Sequence, residues 1–194
     1  MNSSLTRSKI AFFLAQKFSL LFTWQKVIIS LVMLEKEFTH MNIGIIYYSN
    51  TGNTLSVSET LKKALEASGN EVSIERIEVT PDNPQAESVR LVKAPAITGY
   101  DLLVFASPVH GFQPSKAMVA FLNQLTDLSG RKVICFVTHF FPFAWMGGKP
   151  SVNNMKSVCV SKGAEVLMTG IIDWKSRKRN QEIKQLTDAV LGLV

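Results

Sequence analysis

The sequence predicts an α/β protein built on a doubly wound, five-stranded parallel sheet with helices on both faces. Three observations lead there. Five apolar, strand-like runs recur from Met41 onward, each followed by a stretch of helical periodicity; parallel neighbours need such crossovers, which are right-handed. The first run, Asn42 to Tyr48 (NIGIIYY), is apolar almost throughout, as in a strand covered on both faces. The chain has 194 residues, 46% apolar and 19% charged, which suits one globular domain and excludes a mainly disordered or low-complexity chain.

Taken in order, Leu55 to Ser68 places Val57, Leu61, Ala64 and Leu65 on one helical face, pairs Lys62 with Glu66 at i,i+4, and stops at Gly69. Glu71 to Val79 mixes charge with Val72, Ile74, Ile77 and Val79 and reads as an edge strand. Residues 80–98 read as a Pro-containing connection with a short helix about Gln85 to Lys93. Asp101 to Ala106, Arg131 to Thr138 and Ala164 to Asp173 supply the remaining strands; Ser115 to Leu125, Ser151 to Lys162 and Arg177 to Leu191 supply the helices.

Residues 1–40 differ in texture, being rich in Phe, Leu and Ile but interrupted by Lys9, Lys17, Lys26 and Lys36. Those lysines point in different directions around a helix, and no run of 18 apolar residues occurs. This segment is expected to be a leader outside the domain of residues 41–194, with a loose membrane-surface anchor as the sharper alternative. It carries five basic and two acidic side chains, so a net charge of +6 for the chain falls to +3 for the body. No basic stripe interleaved with aromatics is present, which argues against nucleic acid as a partner. Cys135 and Cys159 fall in a strand and a helix and read as packed thiols of a reducing, cytoplasmic compartment.

In an open parallel sheet, ligands sit beyond the carboxyl ends of the strands. After the first strand, Ser49-Asn50-Thr51-Gly52-Asn53-Thr54 offers hydroxyls, carboxamides and backbone N–H groups at a helix N-terminus, with a glycine where the chain must approach closely. This is a phosphate cradle of neutral donors. It lacks the Lys of GxxxxGK[ST] and the spacing of GxGxxG, so neither triphosphate hydrolysis nor a dinucleotide pyrophosphate is indicated. The plainer reading is a polar turn with a helix cap.

After the third strand comes Ser107 to Pro114 (SPVHGFQP), a rigid turn by its prolines and glycine. After the fourth, Thr138 to Lys149 carries Phe140, Phe141, Phe143 and Trp145, with the pair Gly147-Gly148 permitting backbone approach. Such aromatics suit a flat apolar ligand, a dimer interface or packing beneath a long loop. His110 and His139 lie in these two loops and could hydrogen-bond a ligand or exchange a proton. Two histidines without convergent Cys or carboxylate do not make a metal site.

YYSNTGNT, together with DLLVFASPVHG, resembles the flavodoxin-like superfamily, whose phosphate loop reads hydroxyl-x-Thr-Gly-x-Thr; the likeness spans essentially residues 41–190. The resemblance implies a three-layer fold with strand order 2-1-3-4-5 and FMN as cofactor. It implies Ser49, Asn50, Thr51, Gly52, Asn53 and Thr54 around the phosphate, and Pro108, Val109, His110 and Gly111 along the isoalloxazine, with Gly111 or a neighbour presenting a carbonyl to flavin N5. Thr138, His139, Phe140, Gly147 and Gly148 are the expected contacts from the next loop.

Three roles follow: an FMN-dependent oxidoreductase using NAD(P)H or a quinone, an electron-carrying flavodoxin serving a redox partner protein, and the flavin half of a larger assembly. A carrier of this kind is distinctly acidic around its flavin, whereas this body is basic, so the oxidoreductase is the expected function.

Overall fold

The computed structural model describes residues 40–194 except Pro142 and Ala144. The leader and its alternative as a surface anchor therefore lie outside the described residues. Among those described, no helix is long and apolar enough to cross a membrane.

The strands β1 (Asn42–Tyr47), β2 (Glu71–Arg76), β5 (Leu102–His110), β7 (Lys132–His139) and β8 (Glu165–Asp173) form a parallel sheet ordered β2-β1-β5-β7-β8. In terms of the five principal strands this is the expected 2-1-3-4-5. Side chains alternate across it, so each strand serves two cores. Ile43, Ile45, Val104, Ala106, Ile134 and Phe136 face α1 (Asn53–Ala67) and α4 (Arg179–Leu191), which contribute Val57, Leu61, Leu65, Leu186 and Val190. Ile46, Leu103, Phe105, Val133, Cys135 and Val137 face α2 (Lys116–Gln124) and α3 (Gly148–Ser161), which contribute Met118, Phe121, Leu122, Met155 and Cys159. The result is three layers. Both cysteines are free thiols buried in the second core.

Three elements depart from the sequence reading. The single strand expected over Glu71 to Val79 is two: pairing with β1 ends at the Ile77 N–H, which donates to the Tyr47 carbonyl at 2.8 Å, and a separate β3 (Glu78–Thr80) follows. The short helix expected about Gln85 to Lys93 is not formed; β4 (Arg90–Lys93) pairs antiparallel with β3 instead. Val89 and Leu91, two residues apart, both pack on the second core, an extended period that helical spacing could not satisfy.

Third, the turn expected over Ser107 to Pro114 is mostly strand. β5 runs on to His110 and folds back through β6 (Gln113–Pro114), the two-residue turn being Gly111-Phe112 with φ of 54° and 66°. Pro108 is tolerated because β1 has ended: the last bond between the two strands is from Tyr48 N–H to the Ala106 carbonyl, so a missing N–H two residues on deprives no partner.

Candidate functional site

At the carboxyl ends of β1, β5, β7 and β8 lies a cleft of about 480 Å³, lined by Thr51, Asn53, Pro108, Val109, His110, Thr138, His139, Phe140 and Trp174. That volume is in the range of small-molecule sites. Every lining residue except Trp174 is one the sequence singles out. Trp174 follows β8 directly, its N–H donating to the His139 carbonyl at 2.8 Å. The rule that directs attention to strand ends applies equally to this one, and would have found it.

The first loop is built to leave donors open. Gly52, in the left-handed conformation at φ 83°, caps α1 with no side-chain bond to the helix's first N–H groups, and the first turn holds no acidic side chain. An anion there meets backbone N–H groups and the positive end of the helix. The loop's own side chains divide between ligand and scaffold. Thr51 and Asn53 face the cleft. Ser49 Oγ accepts the Gly52 N–H at 3.1 Å and tightens the turn. Thr54 is fully buried, its hydroxyl 2.8 Å from that of Thr138, which ties the first loop to β7.

Asn50 reaches away, donating to Asp82 Oδ1 at 3.2 Å. Asp82 also accepts from the Tyr48 hydroxyl and pairs with Arg76 at 2.7 Å, while Arg76 donates to the Ser49 carbonyl at 3.3 Å. Three residues, Tyr48, Arg76 and Asp82, thus brace the loop from behind. The Tyr48 hydroxyl and the Arg76 guanidinium hold the Asp82 carboxyl below the usual range against some burial, and burial with the Asp82 bond pushes the Tyr48 phenol up to about 12. None of Tyr48, Arg76 and Asp82 is recognisable as a site residue from the sequence, because their meeting depends on where β2 ends.

On the far wall, the edge of Tyr48 meets the His110 ring at 6.4 Å, and burial with nearby Lys116 pulls the His110 pKa down. Gly111 sits at the hairpin tip rather than in the cleft lining. Gly147 and Gly148 are also outside the lining, and their lack of side chain serves packing: a Cβ on Gly147 would fall 2.9 Å from Val109 Cγ1, and one on Gly148 2.8 Å from Ile171 Cγ2. Beyond the rim, Phe112 stacks on Phe141 at 5.2 Å and Phe143 on Trp145 at 6.0 Å, while the Lys175 ammonium stands 5.7 Å over the Phe140 ring. Phe140 is 60% exposed and Trp145 67%. Lys175, Arg177 and Lys178 follow Trp174 on the surface.

His139 lines the cleft yet is only 3% exposed, and neither ring nitrogen has a hydrogen-bond partner. Burial lowers its pKa, although Asp173 and Glu182 pull the other way. Among the described residues no three His, Cys, Asp or Glu side chains are gathered to hold a metal ion. The donor set therefore fits a neutral-donor phosphate site beside an apolar slot with imidazoles at its wall.

A family model for the flavodoxin domain matches residues 44–142, just over half the chain. Compared by sequence with curated proteins, the chain has no match. Among solved structures it is similar to a flavodoxin of Streptococcus pneumonia, with 17% identity and a TM-score of 0.59 over 79% of this chain and 99% of that one. A Fusobacterium nucleatum flavodoxin bound to flavin mononucleotide matches at 16% identity and a TM-score of 0.56 over 79% and 96%. A Lactobacillus acidophilus flavoprotein in complex with FMN matches at 17% and 0.52 over 75% and 97%. These structures share the fold, and the matched segment runs from β1 through the phosphate-type loop to the end of β7: the chain belongs to the flavodoxin domain family.

Proposed function

We propose that the cleft binds one FMN noncovalently and that the protein is an FMN-dependent oxidoreductase of the NAD(P)H or quinone class. The bound cofactor would supply the acceptor for electrons, while the protein supplies position and electrostatics. Thr51, Asn53 and the open N–H groups at the start of α1 would hold the phosphate. Pro108 to His110 on one wall and Phe140 with Trp174 on the other would orient the ring and keep water from it.

The observation that carries the enzyme reading is the cleft's surroundings. The first turns of α1, α2 and α3 contain no acidic side chain, that of α4 holds only Glu182, which accepts the Asp173 N–H, and exposed aromatics with Lys175 stand at the rim. That surface suits an anionic or flat apolar small molecule better than the basic face of a protein partner. The family itself supports the second reading, a carrier without substrate turnover.

Anaerobic rapid mixing of the FMN-loaded protein with NADPH and with NADH, the reductants of either enzyme class, separates the two. Bleaching of the flavin absorbance by one of them is expected. No bleaching by either nucleotide, with fast reduction by a reductase protein, would replace the enzyme with the carrier.

A further inference from the structure

This inference rests on the reading of the cleft as an FMN site and concerns His139. The residue ends β7 and lines the cleft while being 3% exposed, with both ring nitrogens unpartnered. A neutral imidazole carries one donor and one acceptor, and burying both without partners is unfavourable unless the site uses them. The ring packs against the start of α3. Its Cδ2 and Nε2 lie 3.3 and 3.4 Å from where a Cβ on Gly148, the first residue of that helix, would stand.

The charges facing it are few. Asp173 stands opposite His139 in the β7–β8 register, and Glu182 comes from α4, its Oε2 accepting the Asp173 N–H at 2.8 Å. The first turn of α3 offers no carboxylate, and the Thr138 hydroxyl beside it is engaged with Thr54. His110, the cleft's other imidazole, sits on β5 near Lys116. His139 is therefore a neutral base in the cleft wall whose charged form two carboxylates, Asp173 and Glu182, favour. One more negative charge in the cleft would add to theirs and favour the proton.

We propose that His139 takes up a proton from solvent when FMN in the cleft is reduced, compensating the charge that reduction adds. Two electrons from an external reductant and one proton arrive on the cofactor, and a second proton arrives on the free ring nitrogen of His139. The couple then exchanges two electrons and two protons.

The test is the pH dependence of the midpoint potential of the FMN-loaded full chain, titrated with dithionite and mediators between pH 6.5 and 8. Two protons per two electrons give a slope of about 59 mV per pH unit, and one proton gives about 30 mV. The parent and His110→Gln are expected at the steeper slope and His139→Gln at the shallower. A shallow slope in the parent, a steep slope kept in His139→Gln, or a loss in His110→Gln instead would overturn the proposal.

Should His139→Gln not fold, imidazole NMR on the parent decides. His139 is expected neutral in the oxidised protein at pH 7 and cationic in the reduced one; an imidazole that stays neutral on reduction overturns it. A parent that takes up no FMN overturns the cofactor reading as well, whereas FMN uptake with a shallow slope overturns this proposal alone.

Discussion

At the scale of single residues, the site depends on polar side chains that face away from the cleft. Tyr48 keeps its proton to about pH 12 when folded, whereas an unfolded phenol loses it near 10. Its raised pKa therefore stabilises the fold at every pH below 10, and that contribution is lost as pH rises from 10 to 12. Asp82 has the opposite sign: its depressed pKa contributes above the ordinary carboxylate value near 4 and is lost as pH falls through the lowered one. Asp82→Asn is expected to bring the Tyr48 titration, followed by phenolate absorbance, part of the way back toward 10, because burial is the larger cause and remains. A titration left at about 12 would mean that the carboxylate plays no part. Thr54 and Thr138 make a second test. Thr54→Val leaves the buried Thr138 hydroxyl without its partner and is expected to cost about 1 to 3 kcal/mol in urea unfolding. The double change Thr54→Val with Thr138→Val should cost less than the sum of the two singles, since it leaves neither hydroxyl stranded.

At the scale of elements, the β5–β6 hairpin and the loop into α3 are fitted together through one glycine. Gly147 has φ of 100°, and a Cβ there would stand 2.9 Å from Val109 Cγ1 and 3.0 Å from the Phe112 backbone. Gly147→Ala is expected to lose about 1 to 3 kcal/mol of stability through strain and contact together. Gly52 also has positive φ, at 83°, but nothing stands within 4 Å of its would-be Cβ. Gly52→Ala is expected to cost less stability and to show its main effect as weaker FMN uptake in fluorescence titration. Equal stability losses at the two positions would contradict the packing role given to Gly147.

The same contrast explains what was legible in the sequence. Apolar runs such as NIGIIYY and the spacing of Val57, Leu61 and Leu65 are local signals, and the five principal strands with their order follow from them and the family resemblance. The loop SNTGNT was recognisable for the same reason. Gly147 reads like a ligand-approach glycine but makes room for Val109, and Val89 with Leu91 reads as a helix but extends across the core. Asp82 carries no such local signal, because it gains its place only when the ends of β1 and β2 are brought together, whereas Trp174 is open to the strand-end rule as the residue directly after β8.

At the scale of the whole molecule, charge is placed where it does the fold no service. The body carries +3, and Lys175, Arg177 and Lys178 gather just before α4, whose N-terminal dipole they oppose. Lys175 stands over Phe140, so the cluster adjoins the cleft. A field of this sign draws anions toward the cleft from about a Debye length, about 10 Å at 0.1 M salt. The rate of flavin bleaching by NADPH is therefore expected to fall as salt is raised. The triple change Lys175→Ala, Arg177→Ala and Lys178→Ala should lower the low-salt rate by roughly 3- to 30-fold and flatten its salt dependence, with FMN content unchanged. Thermal unfolding supplies the opposing sign, since removing cations from a helix N-terminus should raise stability slightly. A slower reaction in a protein at least as stable would assign the cluster to capture of an anionic donor. An unchanged rate and salt slope would leave these side chains as solvated surface and return the choice of donor to the aromatic rim.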